Sequence, residues 1–138
     1  MFIVGSTNNN QGKVSEFTLT SPWDVCTASF VDSLDVRSCG ADCGAALGLA
    51  FNKSGNKMFV MVSKAVDAVD EYTLTAPWDV STASFVDSFS VNSQEAYPQD
   101  IWFDSSGKTM FIVGQAGDDV NVYKLTTAWD VSTASFTG

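Results

Sequence analysis

The chain of 138 residues is short enough for one domain, and 45% apolar against 17% charged residues give it the means to bury a core. Seven basic against sixteen acidic residues leave a net charge of −9, a surface that repels phosphate backbones, so no nucleic-acid partner is expected. There is no histidine, which removes the commonest general base, the Ser-His and Cys-His nucleophile pairs and most zinc sites together.

Taken in order, the chain reads as strands. "MFIVG" from Met1 is an apolar strand without the basic region of a secretory leader. A polar turn, "STNNNQGK", follows, and "VSEFTLT" from Val14 alternates between two faces. After "WDVCTASF" at 23–30 comes a more exposed strand, "ASFVDSLDV", and then the loop "RSCGADCGAALG". "GLAF" from Gly48 is short and β-prone and leads into the glycine turn "NKSGNK". "KMFVMV" from Lys57 is a near-continuous apolar run, which suits a strand covered on both faces. "VDEYTLT", "WDVSTASF" at 78–85 and "ASFVDSFSV" then repeat the earlier order. The last third does so again, with "DIWF" from Asp100, "DSSGK", "TMFIVG", "VNVYKLT" and "WDVSTASF" at 129–136. No apolar run approaches the roughly 18 residues that cross a bilayer, so no membrane insertion is expected.

Trp23, Trp78 and Trp129 thus recur at intervals of 55 and then 51 residues, within the period range of stacked or radial repeat proteins. Phe17, Tyr72 and Tyr123 are equivalent, as are Met1, Met58 and Met110, Phe51 and Phe103, and Gly55 and Gly107. Four antiparallel strands per unit define a β-propeller blade. The fold class read from the sequence is all-β, a partial propeller of about two and a half blades, with units at 1–36, 47–91 and 99–138. A sandwich or stacked solenoid is the lesser alternative.

The repeated word falls between third and fourth strands, where each unit must reverse in the same way. Trp23, Trp78 and Trp129 are expected to cover the apolar layer of the blade. Asp24, Asp79 and Asp130 are expected to accept hydrogen bonds from nearby backbone N–H groups, assisted by Thr27, Thr82 and Thr133. The word is therefore a structural corner. The Trp-Asp pair does not indicate the WD-repeat family, which couples it to an upstream Gly-His absent from this histidine-free chain.

The run "FDSSGKTMFIVGQAGDDVNVYKLTTAWDVSTASF" resembles a tandem repeat of β-propellers in marine bacteria and in phage tail or virion-associated proteins. The resemblance extends over essentially the whole chain, although Ser54-Gly55 and Ser106-Gly107 stand where that repeat has Asp-Gly. It brings no catalytic residues, and it implies a structural or binding role.

Two and a half blades leave apolar faces and unpaired edges. Either further identical chains or the remainder of a longer polypeptide is expected to complete the ring. Met1 matches Met58 and Met110 and so reads as an ordinary repeat residue, which favours the longer polypeptide.

Cys39 and Cys43 lie in a loop three residues longer than its counterpart "NSQEAYPQD". They are expected to be either a local disulfide or free thiols, with metal binding the weaker option. Cys26 replaces a serine of the repeated word and reads as a passive buried thiol. Asp67, Asp70, Glu71, Asp118 and Asp119, with Asn8, Asn9 and Asn10, read as solvated turns; calcium binding is the lesser alternative, because none has EF-hand spacing. "GKT" at 107–109 lacks the earlier glycine of a phosphate-binding loop.

The functional expectation is a non-catalytic scaffold or recognition and adhesion module, extracellular or on a virion surface. No catalytic, cofactor or metal-binding residue is assigned. Tyr97 and Trp102 are exposed-aromatic candidates for a glycan or protein ligand, although Trp102 is expected to pack between blades. The alternative is a lactonase or hydrolase propeller with metal-bound carboxylates on the first strand of each blade, where this chain offers Asp100.

Overall fold

In the computed structural model, residues 1–6, 12–36, 44–63, 67–117 and 119–138 are described. Alternating and doubly apolar segments become eleven strands among these residues: β1 (Phe2–Ser6), β2 (Gly12–Leu19), β3 (Ala28–Asp35), β4 (Ala45–Phe51), β5 (Lys57–Ser63), β6 (Ala68–Leu74), β7 (Ala83–Ser90), β8 (Pro98–Phe103), β9 (Thr109–Gly114), β10 (Val120–Leu125) and β11 (Ala134–Phe136). They form three antiparallel sheets in simple meander order, β1–β3, β4–β7 and β8–β11. These are propeller blades, and the fold is a partial propeller. The leading strands run further than the sequence pattern indicates, because Ala45, Ala46 and Leu47 in β4 and Pro98 and Gln99 in β8 also belong to them.

The blades stack face to face, and β5 shows why its sequence is apolar throughout. Met58, Val60 and Val62 point to the first blade, where they meet Val4, Val14 and Val36. Phe59 and Met61 point to the third, where they meet Ile101, Phe103, Met110 and Tyr123. All five β5 side chains are buried. Burying a side chain of this size stabilises by about 1.5–3 kcal/mol, so the middle blade serves two cores at once.

Among the described residues the outer faces have no neighbour. Alternation directs Ile101 and Phe103 to the second blade, so Trp102 between them points to the open side of the third. It is 63% exposed and leans on Phe111, with ring centroids 5.6 Å apart. This corrects the expectation that Trp102 packs between blades. Tyr97 is exposed as well.

Each repeated word forms a 3₁₀ turn, at Val25–Thr27, Val80–Thr82 and Val131–Thr133. Asp24, Asp79 and Asp130 precede these turns and accept from the N–H groups of Cys26, Ser81 and Ser132 at 3.0–3.1 Å. The hydroxyls of Thr27, Thr82 and Thr133 donate to the carbonyls of the same aspartates. All three tryptophans have left-handed backbones, with φ of 64°, 66° and 62°, a conformation costly for a bulky residue.

What holds Trp78 and Trp129 there is the hairpin turn of their own blade. Trp78 N–H donates to the Gly55 carbonyl and Trp129 N–H to the Gly107 carbonyl, both at 2.9 Å. A Cβ on Gly55 or Gly107 would sit 2.2 Å from the indole above it. Phe51 and Phe2 flank Trp78, and Phe103 and Phe59 flank Trp129. Trp23 has no such seat and is 98% exposed, so the expected cover of the apolar layer is not made in the first blade.

Two further expectations are corrected. Cys26 is exposed, because its 3₁₀ turn lies on the surface. Asp67, Asp70 and Glu71 are buried rather than solvated, since β6 begins at Ala68 and places them within the blade stack. Cys39, Cys43, Asn8, Asn9, Asn10 and Asp118 lie outside the described residues.

Candidate functional site

In a radial stack the leading strands converge on the axis. Here β4 and β8 lie side by side, whereas the fourth strands β3 and β7 reach the following blade through its 3₁₀ corner. The inner strands therefore line the centre, and the side chains they aim there are the candidates for chemistry.

Each inner strand carries a bulge at the same repeat position. In β4 the pairing with β5 jumps from Ala46 to Gly48, and in β8 the pairing with β9 jumps from Pro98 to Asp100. The extra residues are Leu47 and Gln99, and such bulges re-aim the side chains beside them. Immediately after them stand Gly48 and Asp100, equivalent residues that face each other across the blade boundary. A Cβ on Gly48 would lie 2.6 Å from Asp100 Oδ1 and 2.7 Å from its Cα. Glycine at 48 is therefore the condition for Asp100 to occupy its place. Asp100 is exposed, and its Oδ1 accepts from the Ile101 N–H at 2.8 Å. Among the described residues it is the one carboxylate on an inner strand.

The segment leading to Asp100 is pinned by Glu95. This residue is wholly buried, and its Oε1 accepts from Tyr97 N–H at 2.8 Å and Ala116 N–H at 2.9 Å. The carboxylate ties the approach to β8 to the turn between β9 and β10, and Gln115 N–H completes the tie by donating to the Tyr97 carbonyl. Gly114 makes room for it, since a Cβ there would sit 2.2 Å from Glu95 Cδ. Burial first, and the Glu95 charge second, push the Tyr123 hydroxyl up to about 12. The result is a rigid support that leaves Tyr97, Gln99 and Asp100 exposed on the inner side of the third blade.

A second set of carboxylates locks the blades together. Glu71 Oε2 accepts from Val131 N–H at 3.0 Å, and its Oε1 meets Lys57 Nζ. The same ammonium donates to the Trp129 carbonyl at 2.6 Å. At the equivalent place one blade earlier, Glu16 Oε2 accepts from Val80 N–H at 3.2 Å. Both glutamates precede the aligned aromatic, Phe17 or Tyr72, so the repeat itself contains the signal that would have revealed them. Glu95 has no such signal, because "NSQEAYPQD" reads only as a polar loop.

Metal chemistry does not fit these residues. No three carboxylates or thiols converge among the described residues, and Asp100 stands without a second acidic residue on either inner strand.

No protein-family model matches the chain, and no curated protein matches it in sequence. Solved structures that share the fold include two propellers. One is a 6-phosphogluconolactonase candidate from Bacteroides fragilis, with a TM-score of 0.60, 10% identity, 99% of this chain covered and 36% of the other. The other is the periplasmic gluconolactonase of Pseudomonas aeruginosa, with a TM-score of 0.61, 16% identity, all of this chain covered and 37% of the other. The chain thus spans little more than a third of either structure. At these identities the likeness establishes the propeller fold.

These findings correct the functional expectation. Both of these structures are lactonases by name, and neither is named as a tail component, a virion protein or an adhesin. The reading as a non-catalytic structural or recognition module, with its viral, phage-tail and adhesion associations, is set aside. Among the described residues no helix is long and apolar enough to cross a membrane.

Proposed function

We propose that the chain is a sector of a lactonase-type propeller hydrolase acting on a sugar lactone, with Asp100 as its general base. The observation that carries this reading is the placement of Asp100. It is an exposed carboxylate on an axis-lining strand, set there by a bulge and by the missing Cβ of Gly48. The whole-chain likeness to two lactonases supports the same reading. In the reaction, Asp100 takes a proton from water as its oxygen adds to the lactone carbonyl carbon. The ring C–O bond then breaks, and the proton passes to the departing ring oxygen to give the open hydroxy acid. No step runs through a metal.

The ring is completed by blades beyond those of this chain, from further copies or from a longer polypeptide, which cover the open faces around Trp102 and Ile3. We place the protein outside the cytoplasm, which the periplasmic neighbour supports.

The test is titration of acid release from glucono-1,5-lactone by the intact protein that carries this chain. Turnover above the uncatalysed rate is expected, and Asp100→Asn lowers kcat by about 100-fold or more while the melting temperature is retained. Turnover indistinguishable from background, or unchanged in Asp100→Asn, refutes the reading.

A further inference from the structure

The two complete blades show what sits beneath a corner tryptophan, and the first blade presents the same corner with its seat empty. In blades two and three the indole covers a Ser-Gly turn, and two N–H groups of the blade grip that turn. Leu74 and Trp78 donate to the carbonyls of Asn56 and Gly55, and Leu125 and Trp129 donate to those of Lys108 and Gly107. Leu19 and Trp23 occupy the same repeat positions in the first blade, and Trp23 holds the same left-handed backbone, with φ 64°. Its indole is 98% exposed beside an apolar groove of about 520 Å³ lined by Met1, Leu19, Pro22, Trp23 and Val25. Among the described residues β1 pairs with β2 alone, which leaves its other edge open.

Charge specifies the occupant further. In blade two the turn delivers Lys57 to Glu71 and to the Trp129 carbonyl of the next corner. Glu16 and the Trp78 carbonyl repeat that arrangement one blade earlier, and Glu16 already accepts from Val80 N–H through Oε2.

We infer that the first blade is an acceptor site for the inner arm of a further repeat of this sequence. That arm consists of an apolar strand that pairs with β1, a phenylalanine and Ser-Gly turn that seat Trp23, and a lysine that meets Glu16. The inference concerns assembly and does not depend on lactone hydrolysis.

A synthetic peptide of residues 45–57, "AALGLAFNKSGNK", is the probe. Added to the 138-residue chain, it is expected to bind saturably and shift tryptophan emission to the blue. Trp23→Phe abolishes the shift, and because this residue is exposed the variant stays folded. A peptide with Gly55→Val loses binding, since its side chain strikes the indole. A peptide with Lys57→Ala, or the protein variant Glu16→Gln, binds about tenfold more weakly; glutamine still accepts from Val80. No emission change with millimolar peptide, or equal binding by the Gly55→Val peptide, overturns the inference. A chain already dimeric in dilute solution, with Trp23 cross-linked to a surface other than the inner arm of its partner and not displaced by peptide, would overturn it equally.

Discussion

The Glu71 carboxylate and the Val131 N–H lie 60 residues apart in the chain and 3.0 Å apart in space, joining the third strand of one blade to the corner of the next. Glu16 and Val80 repeat the contact across the preceding boundary. The repeated word therefore has two roles: it turns its own chain, and it offers a backbone donor to the blade before it. That accounts for its near-identity in three places better than any ligand would.

Removing the lock has a calculable cost. Glu71 is 2% exposed and its partner Lys57 26%, so Glu71→Ala strands a mostly buried ammonium and an unpaired Val131 N–H. A loss of about 3 kcal/mol is expected in urea unfolding, toward the lower end for broken buried pairs because Lys57 retains some water. The double variant Lys57→Met, Glu71→Leu should lose less than Glu71→Ala alone.

The Ser-Gly turns are the second test. Gly55→Ala and Gly107→Ala each impose a left-handed alanine, about 1–2 kcal/mol, and force the indole off its seat. Both should lower the unfolding midpoint, and Gly55→Ala should move the emission of Trp78 to the red.

Cys26 marks a defect within the repeat. Ser81 and Ser132 donate through Oγ to Asp79 and Asp130 at 2.6 Å, and Cys26 supplies no such hydroxyl to Asp24. Cys26→Ser should stabilise the first blade by about 0.5–1.5 kcal/mol, read by chemical unfolding. The exposed thiol of the parent chain should react with a disulfide reagent without prior unfolding.

Acid should loosen one hairpin and leave its equivalent intact. Desolvation pushes the Asp104 carboxyl up, but hydrogen bonds from Ser106 Oγ and from the Thr109 and Lys108 N–H groups together outweigh it. Its folded value lies below the ordinary 3.8, so its contribution is present above that pH and is lost as pH falls through the folded value. Asn52 occupies the same place in blade two and does not titrate; its Oδ1 accepts from Lys57 N–H at 3.1 Å. Below about pH 3.8, amide exchange should accelerate at Lys108 and Thr109 but not at Lys57. At the other extreme, Tyr123 is raised from 10 to about 12, so folding loses its contribution as pH climbs through that interval.

The blades were legible because their signals are local and written more than once: glycine turns, alternation in "VDEYTLT", and a doubly apolar β5. The seating of Trp78 on Gly55 was not, since it depends on a left-handed backbone that no residue type announces. Trp102 could have been placed from the sequence, as its neighbours Ile101 and Phe103 already claim the inward face. The acidic run at 67–71 was read as a solvated turn because charge usually marks a surface; its burial follows from partners in distant segments, such as Ser88 for Asp70. The site was legible in part, since Asp100 stands out in the sequence as the carboxylate of a first strand. What the sequence does not show is the pair of bulges and the close approach of Gly48, 52 positions earlier, that set Asp100 in place.

Everything repeated in this chain is assigned to packing, and the proposed hydrolytic step to a carboxylate its repeat partner lacks. Parallel titration of lactone hydrolysis and thermal unfolding in Asp130→Ala and Asp100→Asn of the intact protein separates the two directly. The account predicts that Asp130→Ala costs about 1 kcal/mol of stability with kcat unchanged, while Asp100→Asn keeps the stability and loses turnover. Loss of turnover in Asp130→Ala while it is still folded, with Asp100→Asn fully active, would contradict it.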